Sequence, residues 1–188
     1  MRRITAKTLA PLLCLALVTG LSGCNPSGAD ARDSAKVNDA KLDDPTIVAI
    51  FDAANTYDVE TGSLAASQGG SPAVRDFGKM LVRDHQNVRA QGRELAKSLN
   101  VTPTPPSDFA LATAHAEAMR SLQTQHGAEF DRAFLRHEVD FHTAVIDAVT
   151  KTLLPAIQNA QVKDLVTKVA PAFVAHRDAA QNLLNQQK

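Results

Sequence analysis

The sequence is poor in the residues that build disulfide-bonded, thiolate-rich or strand-rich proteins. Of its 188 residues, only two are Cys, nine are Gly, one is Tyr and none is Trp. Both cysteines, Cys14 and Cys24, lie near the start, so the remaining chain has no disulfide and no thiolate metal ligand. Runs of β-branched residues are scarce and alanine is abundant, a composition that favours helices.

An excess of positive charge is also missing. The chain has 20 basic and 20 acidic residues, whereas nucleic-acid-binding domains normally carry a basic patch, so we expect no nucleic-acid partner. After residue 24 no apolar stretch is long enough for a transmembrane helix. Phosphate-binding loops, nucleotide motifs and nucleophile–base arrangements are absent from the sequence, which favours a non-enzymatic role.

The first 23 residues are typical of a bacterial lipoprotein signal peptide. Three basic residues precede about ten apolar residues at 9–18, too few to span a bilayer. Leu-Ser-Gly-Cys follows and ends at Cys24. We therefore expect residues 1–23 to be cleaved off as a signal peptide and Cys24 to be lipidated. The alternative is an ordinary secretory signal with a chance cysteine.

Cleavage at this point sets the expected location of the rest of the protein. It removes three of the 20 basic residues and no acidic ones, so the net charge becomes −3. Asn25 follows the cysteine, which favours the outer membrane, with the lipid as the membrane attachment and the protein facing the periplasm. Residues 24–44 are polar and predict a flexible tether. The folded domain is then expected at residues 45–187.

Four long amphipathic patterns fill that domain. They predict helices from Asp44-Pro45 to 67, from Ser71-Pro72 to 100, and over 128–152 and 161–186. Asp44 and Ser71, each followed by proline, are the expected caps of the first two. A shorter helical stretch at 108–125 follows a proline-rich segment that cannot be helical. The sequence thus predicts an all-α, antiparallel four-helix bundle with a short extra helix before the third long helix.

Each long helix carries a polar, metal-competent residue on its apolar face. Counted from the helix ends, all four lie near mid-bundle, within roughly 10 Å of one level. They predict a mid-bundle metal site whose candidate ligands, with one further glutamate, are Glu60, His85, His142, His176 and Glu138. Asp58 and Asp84 lie nearby at angles that are less clearly inward, while His115 is expected on the surface.

A purely structural role explains the same residues without metal. Unpaired polar groups in a core are costly, so these side chains must at least bond to one another. A hydrogen-bonded network, for example His85 to Glu60, would satisfy that requirement. The sequence leaves the metal site and the structural network both open.

Four segments resemble the bacterial domain of unknown function 4142: AANTYDVETGSLA, VRDFGKMLVRDHQ, GAEFDRAFLRHEVDFH and APAFVAHRD. The resemblance covers about residues 45–187, and the Asp84-His85 pair and the FDRAF segment are its most specific parts. It implies a ferritin-like bundle in a secreted or lipid-anchored protein, often described as an outer-membrane protein, and it implies no defined activity.

The ferritin-like comparison also reveals a departure. Di-iron carboxylate bundles use Glu-x-x-His motifs, but the residues three before His85, His142 and His176 are Val82, Val139 and Phe173. An imidazole-rich set suits Zn, Cu, Ni or a single iron better than a di-iron pair. Three function classes stay open: an envelope module that binds a protein partner, a metal-binding bundle, and a metal-dependent oxidase or peroxidase-like enzyme.

Overall fold

The structure, a computed structural model, describes residues 42–187, which form an all-α helical bundle, as predicted. Its helices are α1 (Asp44–Gln68), α2 (Pro72–Ser98), α3 (Ala110–Gln123), α4 (Gly127–Ala148) and α5 (Ala160–Gln186). A π-helical turn, Val149–Leu153, and a short α-helical turn, Leu154–Ala156, continue α4. The predicted signal peptide, Cys24 and most of the predicted tether lie outside the described residues.

Polar side chains cap three of the long helices at their first turns. The carboxylate of Asp43 accepts a hydrogen bond from the Thr46 amide at 3.0 Å, and the Ser71 hydroxyl accepts one from the Val74 amide at 3.3 Å. Asn159 accepts two such bonds at the start of α5. These bonds satisfy amides that have no partner within the helix, so the helix starts are fixed locally.

α1 and α2 form one helical hairpin with an unusually close backbone contact. Gly62 and Gly78 face each other at the crossing, and a Cβ on Gly78 would lie 2.6 Å from the Gly62 carbonyl oxygen. That distance is too short for any side chain. The two glycines therefore allow the helices to approach through their backbones.

α4 and α5 form the second hairpin, and two aspartates tie its ends to the first. The buried carboxylate of Asp131 on α4 accepts hydrogen bonds from the amides of residues 70 and 71 at 2.7 and 2.8 Å. The carboxylate of Asp44 accepts bonds from the amides of residues 158 and 159 at 2.9 and 2.8 Å. Asp44, predicted to cap α1, instead fixes the connection between α4 and α5.

The apolar core consists of two separate clusters, one toward each end of the bundle. The first contains Ile47, Val48, Phe51, Val88, Ala96, Val149, Leu153, Ile157, Val162, Val166, Val169 and Phe173. The second contains Ala65, Val74, Phe77, Leu81, Leu122, Phe130, Phe134, Leu135 and Ala180. α1 and α5 pass from the first cluster to the second, whereas α2 and α4 pass from the second to the first.

These directions require the chain to travel the length of the bundle between α2 and α4. Residues 99–126 make that connection, and α3 lies within it, against α1 and α4. A single long crossover of this kind also occurs in ferritin-like bundles. Among the described residues, no helix combines the length and apolarity that a membrane span requires.

Candidate metal centre

A layer of polar side chains crosses the bundle between the two apolar clusters. None of its members is more than 4% exposed, so their charges and hydrogen bonds must be satisfied within the layer. All four long helices contribute to it. The members are Asn55, Asp58 and Thr61 on α1, His85 on α2, Glu138 and His142 on α4, and His176 on α5.

His85 directs its Nδ1 atom at acceptors on α1. Nδ1 lies 2.9 Å from Asn55 Oδ1 and 3.5 Å from Asp58 Oδ2. The Asn55 side-chain amide donates to the Phe51 carbonyl oxygen at 2.7 Å, which turns its own oxygen toward His85. Since the Asn55 oxygen can only accept, the hydrogen-bond network assigns the proton to Nδ1 and leaves a lone pair on Nε2.

His176 presents a second bare nitrogen to that lone pair. Its Nε2 atom lies 3.2 Å from the Asp84 carboxylate, which can only accept, so the proton is assigned to Nε2 and Nδ1 is bare. Nδ1 lies 3.1 Å from His85 Nε2. Burial and the nearby imidazoles lower the pKa of His176 and lower the pKa of His85 to about 2. Two neutral rings therefore face each other with no proton between them.

His142 completes the group of histidines from α4. Its Nδ1 donates to the Glu138 carbonyl oxygen at 3.0 Å, whereas its Nε2 is buried without a hydrogen-bond partner. Burial acts to lower the pKa of His142, but the carboxylates of Asp58 and Glu138 outweigh it and raise the pKa to about 9. Without a bound cation, this ring carries the positive charge of the layer near neutral pH.

The two carboxylates beside His142 are each only partly satisfied. The Thr61 hydroxyl donates to Glu138 Oε1 at 2.8 Å. Glu138 Oε2 and Asp58 Oδ1 have no hydrogen-bond partner, although they lie 3.4 Å from His142 Nδ1 and 3.8 Å from His142 Nε2, respectively. Burial and the neighbouring Glu138 raise the pKa of Asp58. Burial also acts to raise the pKa of Glu138, but the ion pair with His142 outweighs it and lowers that pKa.

An aromatic ring of the first apolar cluster borders the layer. Phe173 stacks on His85 with the ring centroids 5.8 Å apart and an interplanar angle of 12°. Its ring centroid is 6.4 Å from that of His142. Such dry surroundings strengthen every charge interaction in the layer.

The histidine nitrogens fit a transition-metal ion. One nitrogen each of His85, His142 and His176 lies within 4.8 Å of the other two. Nitrogens bound to one ion at about 2.0–2.1 Å in tetrahedral geometry lie about 3.3 Å apart, close to the 3.1 Å between His85 and His176. Asn55, Asp84 and the Glu138 carbonyl engage the other ring nitrogens, as outer partners of metal-bound histidines do.

Four of the five predicted ligands come together in this layer, and Glu60 does not. His85, His142, His176 and Glu138 are all buried there. The Glu60 side chain is 50% exposed and pairs with His115 Nε2 at 2.7 Å. Glu60 lies on a second face of α1, the face that α3 covers. The predicted bond between His85 and Glu60 is therefore wrong, because Asn55 and Asp58 occupy that position.

Sequence reasoning missed other members of this region. The spacing places Asp58 and Asp84 less clearly inward, yet Asp58 is 3% exposed and Asp84 bonds to His176. The helical spacing from Phe51 through Asn55 and Asp58 was the available signal. His115, predicted on the surface, is 7% exposed.

The burial of His115 has a local cause. Its ring stacks on Tyr57 with the centroids 4.1 Å apart, and its Nε2 bonds to the half-exposed Glu60. This contact fastens α3 to α1 beside the polar layer.

Comparisons with known proteins place the chain in a family. One solved structure, "CopM in the Cu(II)-bound form", matches with a TM-score of 0.60 and 13% sequence identity, and the match covers 77% of this chain and 98% of that chain. At that identity the match supports the fold alone. A search of curated proteins gives no significant match. The model of the "Domain of unknown function (DUF4142)" matches residues 29–183. The chain therefore belongs to the DUF4142 family, as its sequence resemblance predicted.

Proposed function

We propose that this protein is a metal-binding protein of the cell envelope, whose three-histidine group binds one transition-metal ion. The observation that carries the proposal is the 3.1 Å distance between His85 Nε2 and His176 Nδ1, the two nitrogens to which the hydrogen-bond network assigns no proton. Outer partners hold both rings in this orientation. Two lone pairs at that distance repel unless a cation lies against both, and His142 supplies a third nitrogen nearby.

Copper is the first ion to test. Imidazole ligands suit Cu, Zn, Fe and Ni, and for a given set of donors the affinity of divalent ions peaks at Cu²⁺. The described fold also resembles that of CopM, whose matched structure is a Cu(II)-bound form. Zinc and iron are the alternative ions, and the same titration compares them.

The competing explanation is a structural hydrogen-bond network without metal. A structural network is expected to satisfy its own members, because each buried unsatisfied group costs about 1–3 kcal/mol. Here Asp58 Oδ1, Glu138 Oε2 and His142 Nε2 all lack hydrogen-bond partners. The two oxygens face only the charged ring of His142, at 3.8 and 3.4 Å. A metal ion that displaced the proton of that ring would satisfy all three atoms, which favours a cation site over a closed network.

Metal titration of the protein, purified without a histidine tag, tests the proposal. Cu²⁺, Zn²⁺ and Fe²⁺ are added in turn, and retained metal is measured after desalting. We expect about one copper per chain, with nitrogen hyperfine structure in its electron paramagnetic resonance spectrum. Loss of an outer partner weakens metal binding by about 10- to 100-fold. Loss of a direct ligand should weaken it more, so we expect a larger effect from each of His85→Asn, His142→Asn and His176→Asn.

His126→Asn is the matched control, because His126 is exposed and its side chain makes no capping bond at the start of α4. It should bind copper as the unaltered protein does. If no ion is retained and the three layer variants are merely less stable, the layer is a structural network. Oxygen and peroxide consumption, measured on the same copper-loaded samples, tests the enzymatic alternative.

The envelope location rests on the sequence of the first residues. The Leu-Ser-Gly-Cys segment and the preceding apolar run support lipid attachment at Cys24 and placement in the outer membrane. Cys24→Ala should move the protein from the membrane to the soluble fraction. Cys14→Ala is the matched control and should leave it membrane-bound. If both variants stay in the membrane, attachment does not depend on Cys24.

A further inference from the structure

The carboxylates of the polar layer form a group of their own beside the three histidines. Asp58, Glu138 and His142 each offer one ligand atom, and these atoms all lie within 4.8 Å of one another. Asp58 is 3% exposed, and Glu138 and His142 are fully buried. The three residues come from only two helices, α1 and α4.

Each of the three also has a buried atom that makes no hydrogen bond among the described residues. Asp58 Oδ1, Glu138 Oε2 and His142 Nε2 are buried and have no hydrogen-bond partner. Asp58 Oδ1 is 3.8 Å from His142 Nε2, too far for a hydrogen bond. Glu138 Oε2 lies 3.4 Å from His142 Nδ1. Two carboxylate oxygens and one imidazole nitrogen are thus left without hydrogen bonds at the same level of the bundle.

The other atoms of these residues are held in place. Thr61 donates to Glu138 Oε1 at 2.8 Å, and Asp58 Oδ2 lies 3.5 Å from His85 Nδ1. His142 Nδ1 bonds to the Glu138 carbonyl oxygen at 3.0 Å. One side of each residue is therefore positioned by a neighbour, and the other side makes no hydrogen bond, so a cation that displaces the proton of His142 could bind there.

We propose that Asp58, Glu138 and His142 form a second cation site, whose two carboxylates suit divalent ions that prefer oxygen ligands. Two carboxylates and one imidazole suit ions such as Mn²⁺, whereas three imidazoles suit Cu²⁺. The site goes beyond the proposed copper site and shares only His142 with it. The layer then sorts two classes of metal by two overlapping sets of donors.

The sharing of His142 predicts a crossed pattern of effects. Glu138→Gln removes a carboxylate and should weaken the binding of Mn²⁺ far more than that of Cu²⁺. His176→Asn leaves the carboxylates intact and should weaken the binding of Cu²⁺ far more than that of Mn²⁺. His142→Asn removes a ligand of both sites and should weaken the binding of both ions.

Manganese titration of the unaltered, tag-free protein is the first measurement. The electron paramagnetic resonance signal of free Mn²⁺ falls as the ion binds, so the number of sites and their affinity follow directly. We expect one Mn²⁺ per chain. Loss of a direct ligand in Glu138→Gln or Asp58→Asn should reduce its affinity by more than the about 10- to 100-fold typical of outer partners.

Two results would overturn this inference. The unaltered protein, which needs no variant to fold, would bind no Mn²⁺ if the two carboxylates merely share a proton. Equal weakening of Mn²⁺ by His176→Asn and Glu138→Gln would mean that the layer contains one site and not two. Copper binding that depends on His85 and His176, with no manganese bound, would leave the proposed function intact while refuting the second site.

Discussion

The positive charge on His142 makes metal binding depend on pH. The carboxylates of Asp58 and Glu138 raise the pKa of this ring to about 9, against the effect of burial. At pH 7 the ring therefore carries a proton that a metal ion must displace. The pKa of His85 is lowered to about 2, so that ring is already free of its second proton.

The size of the effect follows from that pKa. Below about pH 9, each unit of pH changes the cost of removing the proton by about 1.4 kcal/mol, or tenfold in affinity. Between pH 6 and pH 8 the apparent affinity for Cu²⁺ should rise about 100-fold. His176, whose pKa is lowered by burial and by His142, should add nothing to this rise at the upper end of the range.

Two measurements check the prediction. Calorimetry at pH 7, in buffers of different ionisation enthalpy, should detect about one proton released per ion. Competition with a chelator at pH 6, 7 and 8, corrected for the protonation of the chelator, should give the slope. In Asp58→Asn the pKa of His142 should fall, so the Cu²⁺ affinity of this variant should depend less on pH between pH 7 and 8. An affinity independent of pH, with no proton released, would refute the reasoning.

Three further predictions concern the metal-free protein. Gly78→Ala should lower the free energy of unfolding by about 1–3 kcal/mol, because its Cβ would overlap Gly62; denaturant unfolding measures this, and unchanged stability would contradict the close backbone contact. Asp131→Asn should cost about 1.5–3 kcal/mol by the same assay, since one of its two bonds to the α1–α2 turn is lost. Acidification below about pH 6.5 should lower the free energy of unfolding, and His85 should contribute up to about 1.4 kcal/mol per pH unit to this loss. The reason is that the His85 ring takes up a proton in the unfolded state but stays neutral in the folded state. His85→Asn should remove that share of the loss, and an equal loss in the variant would refute it.

The fold was readable from the sequence because its signals are local. The helix start at Ser71-Pro72 and the Gly69-Gly70 turn lie within a few residues of each other, and the hydroxyl cap forms as expected. Apolar spacing on α2, α4 and α5 identifies their buried faces, since each of these helices packs chiefly on one side. The positions of His85, His142 and His176 along their helices were enough to predict a common level.

α1 misled the same reasoning because it packs on two sides. Tyr57 and Glu60 lie on the face that α3 covers, while Asp58 faces the layer. Periodicity alone does not tell which of two buried faces points toward the layer. The pattern of α3 is also too short to show which helix it packs against. The paired lone pairs of His85 and His176 were also beyond prediction, because they depend on contacts between residues about 90 positions apart.

The two hairpins share the histidine group unequally. His85 belongs to the α1–α2 hairpin, and His142 and His176 belong to the α4–α5 hairpin, so an ion bound by all three would cross-link units that the chain joins only through residues 99–126. Such a cross-link removes the entropy of closing that long loop, and its loss should favour opening of the hairpins as separate cooperative units. On the proposed function, release of the metal and loosening of the bundle become one event. Amide hydrogens at the contact between the two hairpins would then exchange more slowly with the ion bound than without it.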